Sequence, residues 1–135
     1  MISQTQKGEK FAGSHVEPGI VVLPNAWDAG SAIMMAEAGF PAIATTSAGV
    51  AFALGLPDGQ RVSRDRMLEC VAQIVAAVPV PVTADLEAGY GSSPEDVAAT
   101  VRRAMHELRE RGTFSYAPSA LSNASPNAIM ARYRG

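Results

Sequence analysis

Apolar positions along the chain alternate between two patterns: short β-prone runs, and longer stretches in which apolar residues recur at helical spacing. Gly19 to Leu23 is a compact apolar run that predicts a strand. Pro24-Asn25-Ala26-Trp27-Asp28 breaks it, and Ala29 to Ala38, rich in Ala and Met, predicts a helix capped by Gly39. Pro41 to Thr46 predicts a second buried strand. From Ser47 to Ser63 the pattern lapses into a long loop or broken helix holding Gly49, Gly55, Pro57, Asp58 and Gly59, longer than a simple connection needs. Met67, Leu68, Val71, Ile74, Val75 and Val78 then return to helical spacing, and Pro79 and Pro81 stop that helix before a third strand over Val80 to Asp85.

Ser93 as cap, Pro94 at the first helical position and Glu95 and Asp96 in the first turn open the next helix, where carboxylates complement the helix dipole. Val97, Val101, Met105 and Leu108 form its apolar stripe, and Arg109, Arg111 and Gly112 supply a basic last turn and a stop. Beyond Thr113 the pattern weakens to a turn at Tyr116-Ala117-Pro118 and a short helix over Pro126 to Tyr133. The domain reading is a polar lead-in over 1–17, β-α units over 18–112 and a tail over 113–135. Three strand-helix units in order predict an α/β fold with a parallel sheet and right-handed crossovers. Ligands on such sheets gather at the carboxyl ends of the strands.

That end carries the candidate chemistry. Val82-Thr83-Ala84-Asp85-Leu86-Glu87-Ala88-Gly89-Tyr90-Gly91 sets two carboxylates two residues apart and closes with glycines. In a strand, residues i and i+2 share a face, so Asp85 and Glu87 aim at one point if the strand continues that far. Like charges held that close call for a cation or shared protons. The competing reading puts Glu87 in the loop with both carboxylates solvated.

Composition narrows the classes. The 135 residues are 47% apolar and 18% charged, enough for one domain with a core. Eleven basic and thirteen acidic residues leave a net charge of −2 with no basic run, which argues against a nucleic-acid surface. One cysteine excludes an internal disulfide framework and a Cys-rich zinc site, and a reducing, cytoplasmic setting is expected. Met1 to Glu17 is polar with no apolar core of signal-peptide length, and no later apolar run reaches membrane-spanning length, so no membrane partner is expected.

Four stretches together resemble the isocitrate lyase and phosphoenolpyruvate mutase superfamily, and 2-methylisocitrate lyase among its members. Pro24 to Ala32 resembles the first strand-to-helix turn, and Thr46-Ser47-Ala48-Gly49-Val50-Ala51 the substrate-carboxylate loop. Leu54-Gly55-Leu56-Pro57-Asp58 resembles the Gly-Leu-Pro-Asp segment, and Asp85 to Gly91 the Asp-x-Asp-x-Gly-Tyr-Gly metal motif. The resemblance implies a (β/α)₈ TIM-type barrel, here a partial one of about three parallel β-α units plus C-terminal helices. It implies a Mg²⁺ ion held by Asp85 and Glu87, partly through water, with Asp58 as nearby acidic partner and candidate catalytic group. Glu87 stands where Asp is commoner, and its longer side chain still offers a hard cation a carboxylate. The Thr46 hydroxyl and the Ser47 and Ala48 N–H groups would bind a substrate carboxylate, and Trp27 would wall the pocket. The implied chemistry is cleavage next to a 2-oxo or 2-hydroxy acid through an enolate, with a small carboxylic acid as substrate.

Complete barrels of this type run to roughly 250 residues. Likeness to the family's first half extends from about Gly19 to Arg103, and the remainder resembles its C-terminal helices, which implies an internal deletion near Thr100 to Met105. The fourth-strand glutamate, the gating loop, the Lys-x-Cys-Gly-His motif and later arginine and asparagine contacts have no match, so weak or no activity is expected. The alternative is a non-catalytic partial barrel acting through metal or carboxylate binding or through assembly, since two open sheet edges predict a homo-oligomer. Five side chains carry plainer readings: Trp27 as plain core, Asp28 as a helix cap, Asp58 as a turn former, Cys70 as a structural thiol and His106 as a solvated helix residue.

Overall fold

The computed structural model describes residues 4–110. Its elements run α1 (Gln4–Ser14), β1 (Asn25–Ala26), α2 (Ala29–Glu37), β2 (Ile43–Thr45), α3 (Ser47–Ala53), α4 (Arg64–Ala77), β3 (Val82–Thr83) and α5 (Pro94–Glu110). The strands form one parallel sheet in the order β1-β2-β3, with Asn25 opposite Ala44 and Ile43 opposite Val82. This is the α/β arrangement that the alternating pattern predicts. α2 packs on α4, and α4 on α5.

Several boundaries differ from expectation. The polar lead-in contains α1. The first strand does not lie at Gly19 to Leu23; that segment is extended chain with Ile20 and Val22 exposed, and pairing starts where Pro24 O and Ala26 O accept from Ala44 and Thr46 N–H. An apolar run makes a strand only where a neighbour supplies the ladder, and β2 reaches no further back than Pro24. The third strand is similarly short: Asp85 and Glu87 lie beyond it, Asp85 just before and Glu87 within a turn closed by Gly89 N–H on Leu86 O. The broken-helix reading of Ser47 to Ser63 resolves into α3 and a loop from Gly55 to Ser63. The turn at Tyr116 and the short helix from Pro126 lie outside the described residues, as does the tail over 113–135.

Local chemistry explains the helix ends. Asp28 caps α2 reciprocally: Ser31 N–H donates to Asp28 Oδ1 at 2.7 Å while Ser31 Oγ accepts from Asp28 N–H. These contacts, Ser31 N–H foremost, hold the Asp28 carboxyl below its usual range. The capping reading of Asp28 therefore describes what its side chain does. Ser93 and Asp96 cap α5 in the same manner. α5 then runs without a break through Thr100 to Met105.

The core is the apolar stripe of α4 (Met67, Leu68, Val71, Ile74, Val75) closed over Ile43 and Val82 of the sheet and Leu108 of α5. Each such side chain stabilises the fold by about 1.5–3 kcal/mol relative to exposure. With α2, α4 and α5 packed in sequence, the carboxyl ends of β2 and β3 are fixed side by side. The candidate site stands on those two ends.

Candidate functional site at the carboxyl ends of the strands

Thr45 ends β2, and its hydroxyl accepts from Asp85 N–H at 2.9 Å, which ties the chain leaving β3 to the end of β2. Thr46 then caps α3, its Oγ1 accepting from Gly49 N–H at 3.1 Å. Ser47 is buried and reaches across to β3: its N–H donates to Asp85 Oδ2 at 3.1 Å and its hydroxyl to the same oxygen at 2.7 Å. Glu87 N–H donates to Asp85 Oδ1 at 2.9 Å. Burial alone would raise the Asp85 carboxyl, but the Glu87 and Ser47 donors outweigh it and hold the group below the ordinary aspartate value.

A carboxylate offers about four lone-pair positions. At Asp85 two are spent on Oδ2 and one on Oδ1, which leaves one on Oδ1. Glu87 spends Oε2 on the Gln60 N–H, and no described residue occupies its Oε1. The turn places Glu87 at φ +53, a left-handed conformation unusual for a side-chain-bearing residue. Glu87 thus lies in the turn, as the loop reading had it, and its N–H joins it to Asp85 where the strand reading had the two side chains on one face.

The glycines of this motif act by close approach. A Cβ on Gly91 would lie 2.1 Å from Asp96 Cβ, and one on Gly89 2.9 Å from a Val97 methyl. Buried Thr100 completes the contact by donating its hydroxyl to Gly89 O at 2.7 Å. Between the glycines, Tyr90 sits at φ +60, and its N–H donates to Gln60 Oε1 at 3.2 Å. Its hydroxyl is buried with no hydrogen-bond partner among the described residues. Burial, followed by the charges of Glu87 and Asp85, pushes the Tyr90 phenol up to about 12.

The other candidates divide. Trp27 is drawn to the Thr46 turn, since a Cβ on Gly49 would lie 3.0 Å from Trp27 Cβ and 2.6 Å from Thr46 Cγ2. Trp27 is 44% exposed and borders an open apolar depression of about 550 Å³ with Met34, Met35 and Phe40, so it is not the plain core residue its type allows. Ala48 follows Ser47 in the first turn of α3, and no described residue accepts from its N–H. Asp58 is exposed on the Gly55–Ser63 loop, where its Oδ1 accepts from Gly59 N–H at 2.8 Å. Among the described residues no group of three or more His, Cys, Asp or Glu side chains gathers at metal-holding distance, so Asp58 does not close a triad with Asp85 and Glu87. Cys70 is half-buried on α4, and burial raises its thiol, which suits a structural rather than a nucleophilic cysteine. Sequence reasoning missed Gln60 altogether, because a lone glutamine in a loop carries no periodic or motif signal.

The family model for phosphoenolpyruvate phosphomutase matches residues 11–108. The 2-methylisocitrate lyase of Bacillus subtilis is 31% identical over 107 residues, covering 79% of this chain and 35% of its own. A crystal structure of a putative lyase/mutase from Burkholderia cenocepacia superposes with a TM-score of 0.74 at 48% identity, over 82% of this chain and 38% of that one. An oxaloacetate acetylhydrolase solved with its product oxalate gives a TM-score of 0.68 at 29% identity, over 82% of this chain and 38% of that one. The chain spans a little over a third of the length of these relatives. Matched over most of its described length by the family model and by lyase and mutase relatives alike, the chain belongs to the phosphoenolpyruvate phosphomutase family.

Proposed function

We propose that this chain forms part of a (β/α)₈ barrel and carries the metal and carboxylate half-site of a Mg²⁺-dependent carbon–carbon lyase acting on small 2-oxo or 2-hydroxy acids. The observation that carries the proposal is the state of Asp85: locked from behind by Ser47 and Glu87, held ionised, and left with one unspent lone pair on Oδ1. Glu87 adds a second oxygen. Magnesium keeps several waters and is typically held by one or two carboxylates together with substrate, so a pair of hard oxygens fits it without a third protein ligand.

A bound magnesium ion would supply positive charge to the enolate that develops when a bond to C3 of the substrate breaks. Thr46 shapes the first turn of α3, and the Ala48 N–H is the donor left there for a substrate carboxylate. Ser47 serves the site through Asp85, since its own N–H and hydroxyl are engaged. Trp27 borders the same turn and walls one side of it. Asp58 is exposed on the Gly55–Ser63 loop, and we assign it the role of an acid-base partner there.

Titration calorimetry with Mg²⁺ and oxalate, a mimic of the pyruvate enolate, tests the proposal. Oxalate is expected to bind only when Mg²⁺ is present. Absence of binding by folded protein would overturn the reading. A second, assembly-based reading draws on the open edges that β1 and β3 leave on the three-stranded sheet. It expects a homo-oligomer at micromolar concentration, and light scattering at the monomer mass would sink it.

A further inference from the structure

We infer that Gln60 is a positioning residue that fastens the loop carrying Asp58 to the turn carrying Asp85 and Glu87, and thereby sets where the Glu87 carboxylate stands. The purpose of such a fastening rests on the metal reading above, whereas its geometry is independent of it. Gln60 engages that turn with both of its ends. Its backbone N–H donates to Glu87 Oε2, and its side-chain Oε1 accepts from Tyr90 N–H at 3.2 Å. The two bonds reach across 27 and 30 residues of sequence, and they bracket the segment from Glu87 to Tyr90.

The backbone strain of the region falls on these same three residues. Among the described residues, Gln60 at φ +58, Glu87 at +53 and Tyr90 at +60 are the non-glycine positions with positive φ. Such conformations persist where surrounding bonds over-determine them, and they concentrate at functional sites. On the far side, Gly89 and Gly91 lie hard against Val97 and Asp96, and Thr100 holds Gly89 O. α5 therefore fixes one flank of the turn and Gln60 the other. Val62, buried two residues after Gln60, anchors the loop in the core.

The residue type argues the same way. A left-handed position chosen for backbone ease alone favours Gly or Asn. Glutamine there is explained by reach, because its amide oxygen extends one methylene further than that of asparagine and meets the Tyr90 N–H. Asp58 precedes Gln60 by two residues. Fastening Gln60 to Glu87 therefore joins the loop that carries the candidate acid-base group to the turn that carries the metal carboxylates.

The test compares the full chain with Gln60→Ala, Gln60→Gly and Gln60→Glu by amide hydrogen exchange and by Mg²⁺ titration in the presence of oxalate. Gln60→Gly keeps the N–H to Glu87 and is at ease at this φ, so it removes only the Oε1 contact. Exchange at Tyr90 N–H is expected to quicken at least about 10-fold in the Ala and Gly variants, with amides of Ile43 and Ile74 unchanged. Mg²⁺ affinity is expected to fall by about 10-fold in both, the range seen when a group orienting a metal ligand is lost. Gln60→Glu retains an acceptor and is expected to restore Tyr90 protection. Unchanged Tyr90 exchange would overturn the fastening, and quickened exchange with unchanged Mg²⁺ affinity would overturn the positioning role. A wild type that binds neither Mg²⁺ nor oxalate would overturn the metal reading and the positioning role with it, while Tyr90 exchange would still decide whether the fastening exists.

Discussion

Asp85→Ala is expected to abolish Mg²⁺-dependent oxalate binding, a loss on the order of 100-fold or more, since losing even a group that orients a metal ligand costs 10–100-fold. The same change strips acceptors from Ser47 N–H, Ser47 Oγ and Glu87 N–H. Water reaches this side chain, so the stability cost is placed at about 1–3 kcal/mol, the range for a single poorly satisfied donor. Asp85→Asn separates the two effects. It removes the charge that a cation needs while keeping one oxygen acceptor, so binding is lost as fully and stability falls less. Denaturation midpoints and titration on the two variants check this.

The lowered Asp85 carboxyl also fixes a pH signature. Because its folded value lies below the unfolded value of about 3.9, its contribution is fully present above that pH and is lost as pH falls through the folded value. Wild type should therefore lose stability more steeply below about pH 4 than Asp85→Asn, which has no proton to take up there. Equal acid limbs in urea melts of the two proteins would contradict this assignment.

Gly91→Ala is the second large effect expected. The new methyl would stand 2.1 Å from Asp96 Cβ and 2.6 Å from Asp96 Cγ. Asp96 cannot simply swing away, because its carboxylate accepts from Ser93 Oγ at 2.8 Å and from Ser93 N–H at 3.2 Å to cap α5. Either the cap or the turn must give, at a cost of about 1–3 kcal/mol. If the turn gives, Glu87 moves with it, and weakened Mg²⁺-dependent oxalate binding is expected together with the lowered melting temperature. Unchanged melting would show that α5 and the turn are not in the close contact described.

Much of this was legible in the sequence because its signals are local. The helical spacing of Met67, Val71, Ile74 and Val75 and the Ser93-Pro94-Glu95-Asp96 start depend on neighbours a turn away, and both elements lie where those signals put them. The first strand was misplaced because Ile20 and Val22 satisfy a strand's composition while pairing depends on where β2 lies in space. Asp85 and Glu87 were legible as a pair, with strand and loop both open for Glu87, and spacing could not choose between them because φ +53 at a glutamate is supported from outside by the Gln60 N–H and Gly89. Gln60 itself was invisible for the same reason, as its partners lie 27 and 30 residues away.

The strand order has a kinetic consequence. In the sheet β1-β2-β3 each strand pairs with the one synthesised just before it, so no strand waits for a distant partner. Loop closure is therefore modest at every step, and sheet and covering helices can condense progressively as the chain lengthens. A nascent chain extending through α4 carries both partners of the β1–β2 pairing and most of the apolar core, so β3 with the Asp85 turn adds to an existing edge, and α5 then closes over the turn from its far side.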